Sequence, residues 1–450
     1  MKTQSKRAAQ GGNEMKAQSH KRLKAVLLTL TMSLVLAACG GTESSSSEAS
    51  NPSGDGTIKL KVYAQHFDDD TSKPFDYAVE KLKEEMPNVE IELDAAVQDG
   101  YQKLKTYAAT GNMPDIYFTD WSTLQTMAKS KNVELLDDYE ATTEFKQNLN
   151  PGVESRLVAP DNHVYAYPDT GIEFQIIYYN KAIFEQAGIQ TPIKTIDQMA
   201  EAAQKLKAAG FVPMSIFAKE KWITTAFYNG LVTREQPQGF GAIGQEGLKQ
   251  LPEAFVTAAQ QMKQLQQAGL FDANATNTNY DQASSLFYQG KAAMFVNGQW
   301  EIYSSQEKLG DQVDWMYWPA KDEATYEQSK YFINGAGAPQ GYAVYPGSKN
   351  KDTAVEVAAF LAAKSAEYRY TQLGSPIVSP KVDMPIASDV PAMMQRVATE
   401  LLPNAENYAQ LLSNTAITNA INDGTQYLMV DSYTPEEFVE SLNRVLDKEN

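Results

Sequence analysis

Between Thr57 and Phe118 the chain switches hydrophobic period four times, and this alternation limits the fold more than any other feature. Ile58, Leu60 and Val62 alternate with Lys59 and Lys61, the period-two pattern of a strand. Phe75, Val79, Leu82 and Met86 then fall at helical spacing, and Pro87 stops that helix. Val89, Ile91 and Leu93 alternate again. A second helical stripe (Tyr101, Leu104, Tyr107, Ala108) ends near Gly111, and Asp115 to Phe118 reads as a third strand. The order strand–helix–strand–helix–strand predicts an α/β sheet with helices on both faces. Ligands of such sheets sit beyond the carboxyl ends of the strands. Residues 63–70 and 119–122 are therefore the expected rim loops.

The theme returns later in the chain. Ile172 to Tyr179 is apolar enough for a buried strand. Thr195-Ile196-Asp197-Gln198 has capping-box spacing, and Met199, Ala203 and Leu206 carry a helix from it towards Gly210. Phe211 to Phe217 reads as a strand. Pro252 suits a first helical position, and Phe255, Ala259, Met262 and Leu265 form the buried stripe that follows. Ala292 to Val296 and Val313 to Trp318 read as further strands. A chain of 450 residues exceeds what one core normally organises, so two lobes are expected.

The first 56 residues read differently. Lys21-Arg22-Leu23-Lys24 precedes a short apolar run, Ala25 to Leu36, and then Ala37-Ala38-Cys39-Gly40. A basic segment, an apolar segment and a small-residue site make a secretory signal over residues 1–38, with Met15 its expected start. The run is shorter than the roughly 20 apolar residues a membrane-spanning helix needs. Leu36-Ala37-Ala38-Cys39 resembles a bacterial lipobox, which implies cleavage before Cys39 and lipid attachment to it. The Ser-rich stretch that follows, within 39–56, reads as a flexible tether reaching on the order of 20 Å.

Charge and rare residues narrow the function. The formal net charge is −17. The segment before Cys39 carries seven Lys/Arg and one acid, so its removal leaves a surface near −23 that repels nucleic acid. Cys39 is the single cysteine, so a disulfide, a thiolate zinc site and a thiol nucleophile in the fold are excluded. Three His give thin support for histidine-dependent catalysis. Asp68-Asp69-Asp70 reads as a solvated acidic turn rather than a calcium site. Asp272 to Asn277 opens like a calcium loop, but lacks the sixth-position Gly and has Ala283 where the bidentate Glu belongs. No phosphate loop occurs. Neither a cofactor nor a metal is expected.

Several ordered segments carry a family resemblance. They are Gly111-Asn112-Met113-Pro114-Asp115-Ile116, Tyr167-Pro168, Ile177-Tyr178-Tyr179-Asn180-Lys181 and Phe184-Glu185-Gln186-Ala187-Gly188-Ile189. Phe287 to Met294 with Gly298-Gln299-Trp300, then Ala354 to Gly374 before Ser375-Pro376, continue the series. Together they resemble the family 1 extracellular solute-binding proteins of carbohydrate ABC importers, the maltodextrin-binding-like group. Ile196 stands where that family usually has Trp. The resemblance covers about Thr57 to Asn450. It implies a periplasmic-binding-protein-like α/β fold of two lobes, 57–171 plus 320–378 and 172–319 plus 379–450. The implied crossings lie near Gly171-Ile172, Pro319-Ala320 and Gly374 to Lys381. It further implies a carbohydrate ligand in a closing cleft, partnership with ABC permease subunits, a monomer anchored by lipid to the outer face of the cytoplasmic membrane, and no catalysis.

A sugar presents hydroxyls and an apolar C–H face, so its cleft needs indole or phenol platforms flanked by carboxylates and amides. Trp300 ends the Gly-Gln-Trp block at a position that resembles a ligand-facing one. Trp222 follows a strand-like run where relatives place an aromatic binder. Asp120 and Trp121 follow the third strand at the rim, with a helix cap and a packing role as their bland alternatives. Glu173 lies between Ile172 and Phe174 at the first crossing, where the resemblance implies a sugar-binding acid; an interlobe salt bridge is the alternative. Asp169, His66, Gln65 and Asn334 are candidates from neighbouring loops, the last in a small-residue turn, Asn334 to Gly337. A surface glycoside hydrolase with two carboxylates and a binder of a non-sugar solute are the competing functions.

Overall fold

The computed structural model describes residues 56–450 apart from 245–246, 336, 388, 406–411 and 413. The expected signal segment, Cys39 and nearly all of the tether lie outside the described residues. Among the described residues no helix is long and apolar enough to cross a membrane.

Two four-stranded sheets organise the chain. The first has the order β2-β1-β3-β8, with β1 Ile58–Ala64, β2 Val89–Ala95, β3 Ile116–Thr119 and β8 Gly341–Val344. β1 pairs in parallel with β2 and β3, and β8 closes the edge antiparallel to β3. The period-two pattern works as read. Leu60 and Val62 are fully buried with Phe75, Ala78 and Leu82 of the Asp69–Glu85 helix on one face. Tyr63 and Tyr117 point to the other face, against Leu104, Leu124 and Met127. Each such aliphatic side chain contributes about 1.5–3 kcal/mol of burial free energy.

The second sheet has the order β5-β6-β4-β7, with β4 Gln175–Asn180, β5 Val212–Ser215, β6 Ala292–Gly298 and β7 Val313–Met316. β4 runs antiparallel to both β6 and β7, while β5 is parallel to β6. The capping box at Thr195 forms and starts the Ile196–Ala208 helix, whose Met199, Ala203 and Leu206 are buried. Pro252 stands one residue before the Glu253–Gln267 helix rather than at its first position. That helix packs Phe255, Ala259, Met262 and Leu265 into the second core, where Phe438 and Leu442 near the C-terminus join it.

One expected crossing is displaced. The segment after Ala320 was expected with the first sheet, but Tyr326 and Ile333 pack in the core of the second. Three sets of bonds keep it there. The Ala320 N–H and C=O pair with Lys194 and Ile196. The buried Arg234 guanidinium donates to the carbonyls of Ser329 and Phe332. Asn334 accepts from the Gln175 N–H at 3.1 Å and donates to the Ala226 carbonyl. The chain leaves the second sheet only after Asn334. It then runs against the first crossing, where a Cβ on Gly335 would lie 1.6 Å from the Glu173 carbonyl oxygen. A third segment touches the same place, as Gly171 N–H donates to the Ile377 carbonyl at 3.2 Å.

Candidate functional site

The rim of the first sheet gathers polar groups beyond β1 and β3. Gln65 Nε2 donates to the Tyr101 hydroxyl at 3.5 Å. Burial pushes the Tyr101 phenol well up from its usual range, and the charges of Asp120 and Glu173 add to the shift. Gln65, Tyr101, Asp120 and Glu173 therefore share one neighbourhood. Asp120 also caps the Trp121–Lys129 helix, accepting from the Thr123 N–H at 2.8 Å. His66 turns aside, with its ring 2.9 Å from Asp76 and edge-on to Phe75. Trp121 packs inward against Tyr165, ring centres 6.3 Å apart, and belongs to the first sheet's core.

At the crossings, acids find cations. Glu173 forms an ion pair with Arg156 at 3.3 Å and accepts from the Thr170 hydroxyl at 3.0 Å and from Gln340 at 3.3 Å. Arg156 is 1% exposed and also donates to the carbonyls of Thr170 and Ala338, so it ties two crossing segments together. Asp169, also buried, pairs with Arg369 at 3.0 Å. Burial works against the Arg369 charge, but Asp169, Asp70 and Glu173 outweigh it and raise its pKa. Asn334 spends its side chain on Gln175 and Ala226. The small-residue turn after it, open in the sequence to a ligand-facing or an ordinary-turn reading, brings backbone to the Glu173 backbone.

The second sheet supplies rings. Trp222 is 40% exposed at the start of the Lys221–Val232 helix, and its ring lies 6.2 Å from that of Trp300 at 44°. Phe217 stands edge-on to Trp222 at 5.3 Å and to Tyr280 at 5.5 Å, which fixes the cluster from behind. Glycine at position 298 makes room for the Trp300 ring, because a Cβ there would come within 2.1 Å of it and displace it. Trp222 Nε1 donates to Glu220 at 3.2 Å. Burial raises the Glu220 carboxyl, whose Oε1 has no partner among the described residues.

A group of acids joins the two sides. Asp70, 4% exposed, accepts from the Ser304 hydroxyl of the Ile302–Leu309 helix at 2.9 Å. Glu301, fully buried, accepts from Tyr280 at 2.8 Å, from Asn297 at 2.6 Å and from Tyr288. Burial, then the neighbouring Asp68 charge, pushes Asp70 up to about 7. Burial, then the Asp70 charge, pushes Glu301 up to about 8. Among the described residues no cluster of three or more His, Cys, Asp or Glu has a metal-binding arrangement. Chemically the site is a set of oriented acceptors and aromatic faces, the equipment for holding a hydroxylated molecule.

A profile of the bacterial extracellular solute-binding proteins matches residues 68–368. The chain belongs to this family. An uncharacterized ABC transporter extracellular-binding protein of Pyrococcus horikoshii is 27% identical over 63% of this chain and 65% of its own length. The match therefore spans slightly under two thirds of that relative. A galactooligosaccharide-binding protein of Bacillus subtilis is 23% identical over 89% of this chain and 90% of that one. A solved chitin oligosaccharide binding protein superposes with a TM-score of 0.73 at 21% identity, covering 87% of this chain and 98% of the other.

Within this solute-binding protein, candidates named singly from the sequence come near one another: Trp222 with Trp300, and Gln65 with Asp120 and Glu173 around Tyr101. It missed Asp70, Glu301, Ser304, Arg369, Tyr280 and Tyr288. Asp70 was read as part of a solvated turn. Instead Asp68 caps the helix through a reciprocal box with Thr71, and Asp70, two residues on, is carried inward. The usable signal was local: Asp68 and Thr71 have capping-box spacing. Glu301 directly follows the Gly-Gln-Trp block, but its burial depends on Tyr280 and Tyr288 from a helix upstream, a pairing no short window contains.

Proposed function

We propose that this protein captures a carbohydrate outside the cytoplasm and hands it to the permease of an ABC importer. The observation that carries the reading is the Trp222–Trp300 pair, two indoles 6.2 Å apart beside carboxylates, one of them still 40% exposed. A ring face against sugar C–H groups, with acids for the hydroxyls, is the arrangement saccharide recognition needs. The relatives named for galactooligosaccharide and chitin oligosaccharide support the same class. In this reading the two lobes close by bending at the segments near 171–174, 335–341 and 374–381. A lipid on Cys39, joined through the Ser-rich tether, holds the monomer at the outer face of the cytoplasmic membrane. The bound sugar leaves unaltered.

The test is a thermal-shift and calorimetric screen over mono- and oligosaccharides. A ligand present at one hundred times its Kd stabilises the native state by about 2.7 kcal/mol, a readable rise in Tm. Trp300→Ala should weaken binding of the best sugar by about 2 kcal/mol, close to thirtyfold. No shift with any saccharide, or release of new reducing ends during incubation with glycans, overturns the proposal.

A further inference from the structure

Five carboxylates around the helix carrying Asp70 lie within electrostatic reach of one another or of Arg369, and they fall into two kinds. Asp169 and Glu173 each have an arginine. Asp68, Asp70 and Glu301 accept, among the described residues, from neutral donors: Thr71 for Asp68, Ser304 for Asp70, and Tyr280, Tyr288 and Asn297 for Glu301. Of these, Asp70 is 96% buried, by its 4% relative exposure, and one of its oxygens, Oδ1, has no partner at all among the described residues. An orphaned carboxylate oxygen at such depth is costly unless something donates to it. The oxygen lies where Ser304 bonds its sister atom and where Glu301 brings a second acid, so the place has acceptors in excess, and Arg369, a cation whose charge reaches Asp70, bonds Asp169 instead.

No cation bonds that oxygen among the described residues. On the helix of Asp70, Asp69 is engaged with Lys73 at 2.7 Å. Lys73 otherwise lies over the Tyr303 ring. From the Lys351–Thr371 helix Arg369 faces the group, and its Nε is committed to Asp169. From the second sheet's side come Glu301 and the phenols of Tyr280 and Tyr288, which burial pushes far above their usual range.

We propose that the ligand is an amine-bearing saccharide whose ammonium group is received at the free Asp70 oxygen, with the Glu301 carboxyl behind it. This rests on the carbohydrate reading above and sharpens it to a class. The elevated pKa values of Asp70 and Glu301 agree, because a site that holds a proton against neutral water will exchange it for an ammonium. Ammonium binding then expels protons at pH 7, and affinity rises as pH climbs towards 7, above which the sugar amine begins to lose its own proton. A neutral sugar enclosed by the same acids displaces no proton, so its affinity lacks this slope.

The experiment uses matched pairs: glucosamine, galactosamine and the chitosan disaccharide, each against its N-acetyl counterpart, by calorimetry at pH 7 in buffers of differing ionisation enthalpy. The expected result is that at least one amine binds about tenfold or more tightly than its partner, with net proton release. Asp70→Asn should bring that ratio close to one. The proton release of the unmutated protein stands as a separate readout should the variant fold poorly. If saccharides bind with no preference for the amine, or without proton release, the inference is overturned and the carbohydrate reading survives. If spermidine binds and no saccharide does, both fall.

Discussion

The two sides of the candidate site are built on different principles. On the first sheet's side, acids are held by cations: Asp169 by Arg369 and Glu173 by Arg156, with the arginines reaching across chain crossings. On the second sheet's side, indoles and phenols hold one another: Phe217 against Trp222, Trp222 against Trp300, Tyr280 on Glu301. The first arrangement is fixed by charge pairs that cannot tolerate loss of one partner. The second rests on contact area, with the exposed face of Trp222 left for something else. Position in the fold explains the division. The ion pairs lie at the crossings, where three backbone segments leave little room for large side chains. The rings lie beyond β5 and β6, where open surface permits them.

Removing one member of a buried pair is the sharpest way to break this contrast. Arg369→Met leaves Asp169, 4% exposed at its side chain, without its cation. The expected cost is about 3–5 kcal/mol of unfolding free energy, read from the urea midpoint. Asp169→Asn combined with Arg369→Met should be less damaging than Arg369→Met alone, because no charge is then orphaned. A single variant with unchanged stability would show that the pair contributes nothing to the first side.

The acids that lack a cation predict a pH effect of known sign. Asp70 and Glu301 have folded-state pKa values raised to about 7 and about 8, above those of an unfolded carboxyl. The folded protein therefore binds more protons than the unfolded chain between about pH 5 and 7, and stability falls as pH rises through that window. The slope should be on the order of 1 kcal/mol per pH unit for each group, most of it lost from one group in Glu301→Gln. Denaturation midpoints at pH 5, 6 and 7 measure it. A flat profile would mean that the two acids are solvated enough to ionise freely, and the contrast with Asp169 would vanish.

What the sequence disclosed and what it concealed divide along the same line. Periodicity in Ile58, Leu60 and Val62, and in Phe255, Ala259, Met262 and Leu265, reports burial against an element's own neighbours, so strands and helices could be read. The capping box at Thr195 is equally local. The segment from Ala320 to Asn334 was misplaced because nothing nearby says where it packs. Its position is set by Arg234, almost a hundred residues upstream, which donates to backbone carbonyls of Ser329 and Phe332. Asp70 was misread for a related reason. An acidic triplet looks solvated until its helix is docked on the first sheet and Ser304 arrives from the second. Trp222 and Trp300 could be named singly, but their meeting depends on β5 lying parallel to β6.

Asp120 sits where cap and ligand contact compete, and the smallest expected effect separates them. Its side chain accepts from the Thr123 N–H, and its charge reaches the Tyr101 phenol beside Gln65. Asparagine caps a helix about as well as aspartate, whereas alanine does not. Asp120→Ala should therefore cost about 1 kcal/mol of stability, and Asp120→Asn should cost only a few tenths. Sugar affinity reads the other role. If Asp120→Asn leaves both stability and affinity in place, the residue is a cap and the polar rim of the first side reduces to Gln65, Tyr101 and Glu173. If stability holds while affinity drops several-fold, the carboxylate charge itself serves the ligand, and Asp120 joins Asp70 as an acid of the first side that no cation bonds among the described residues.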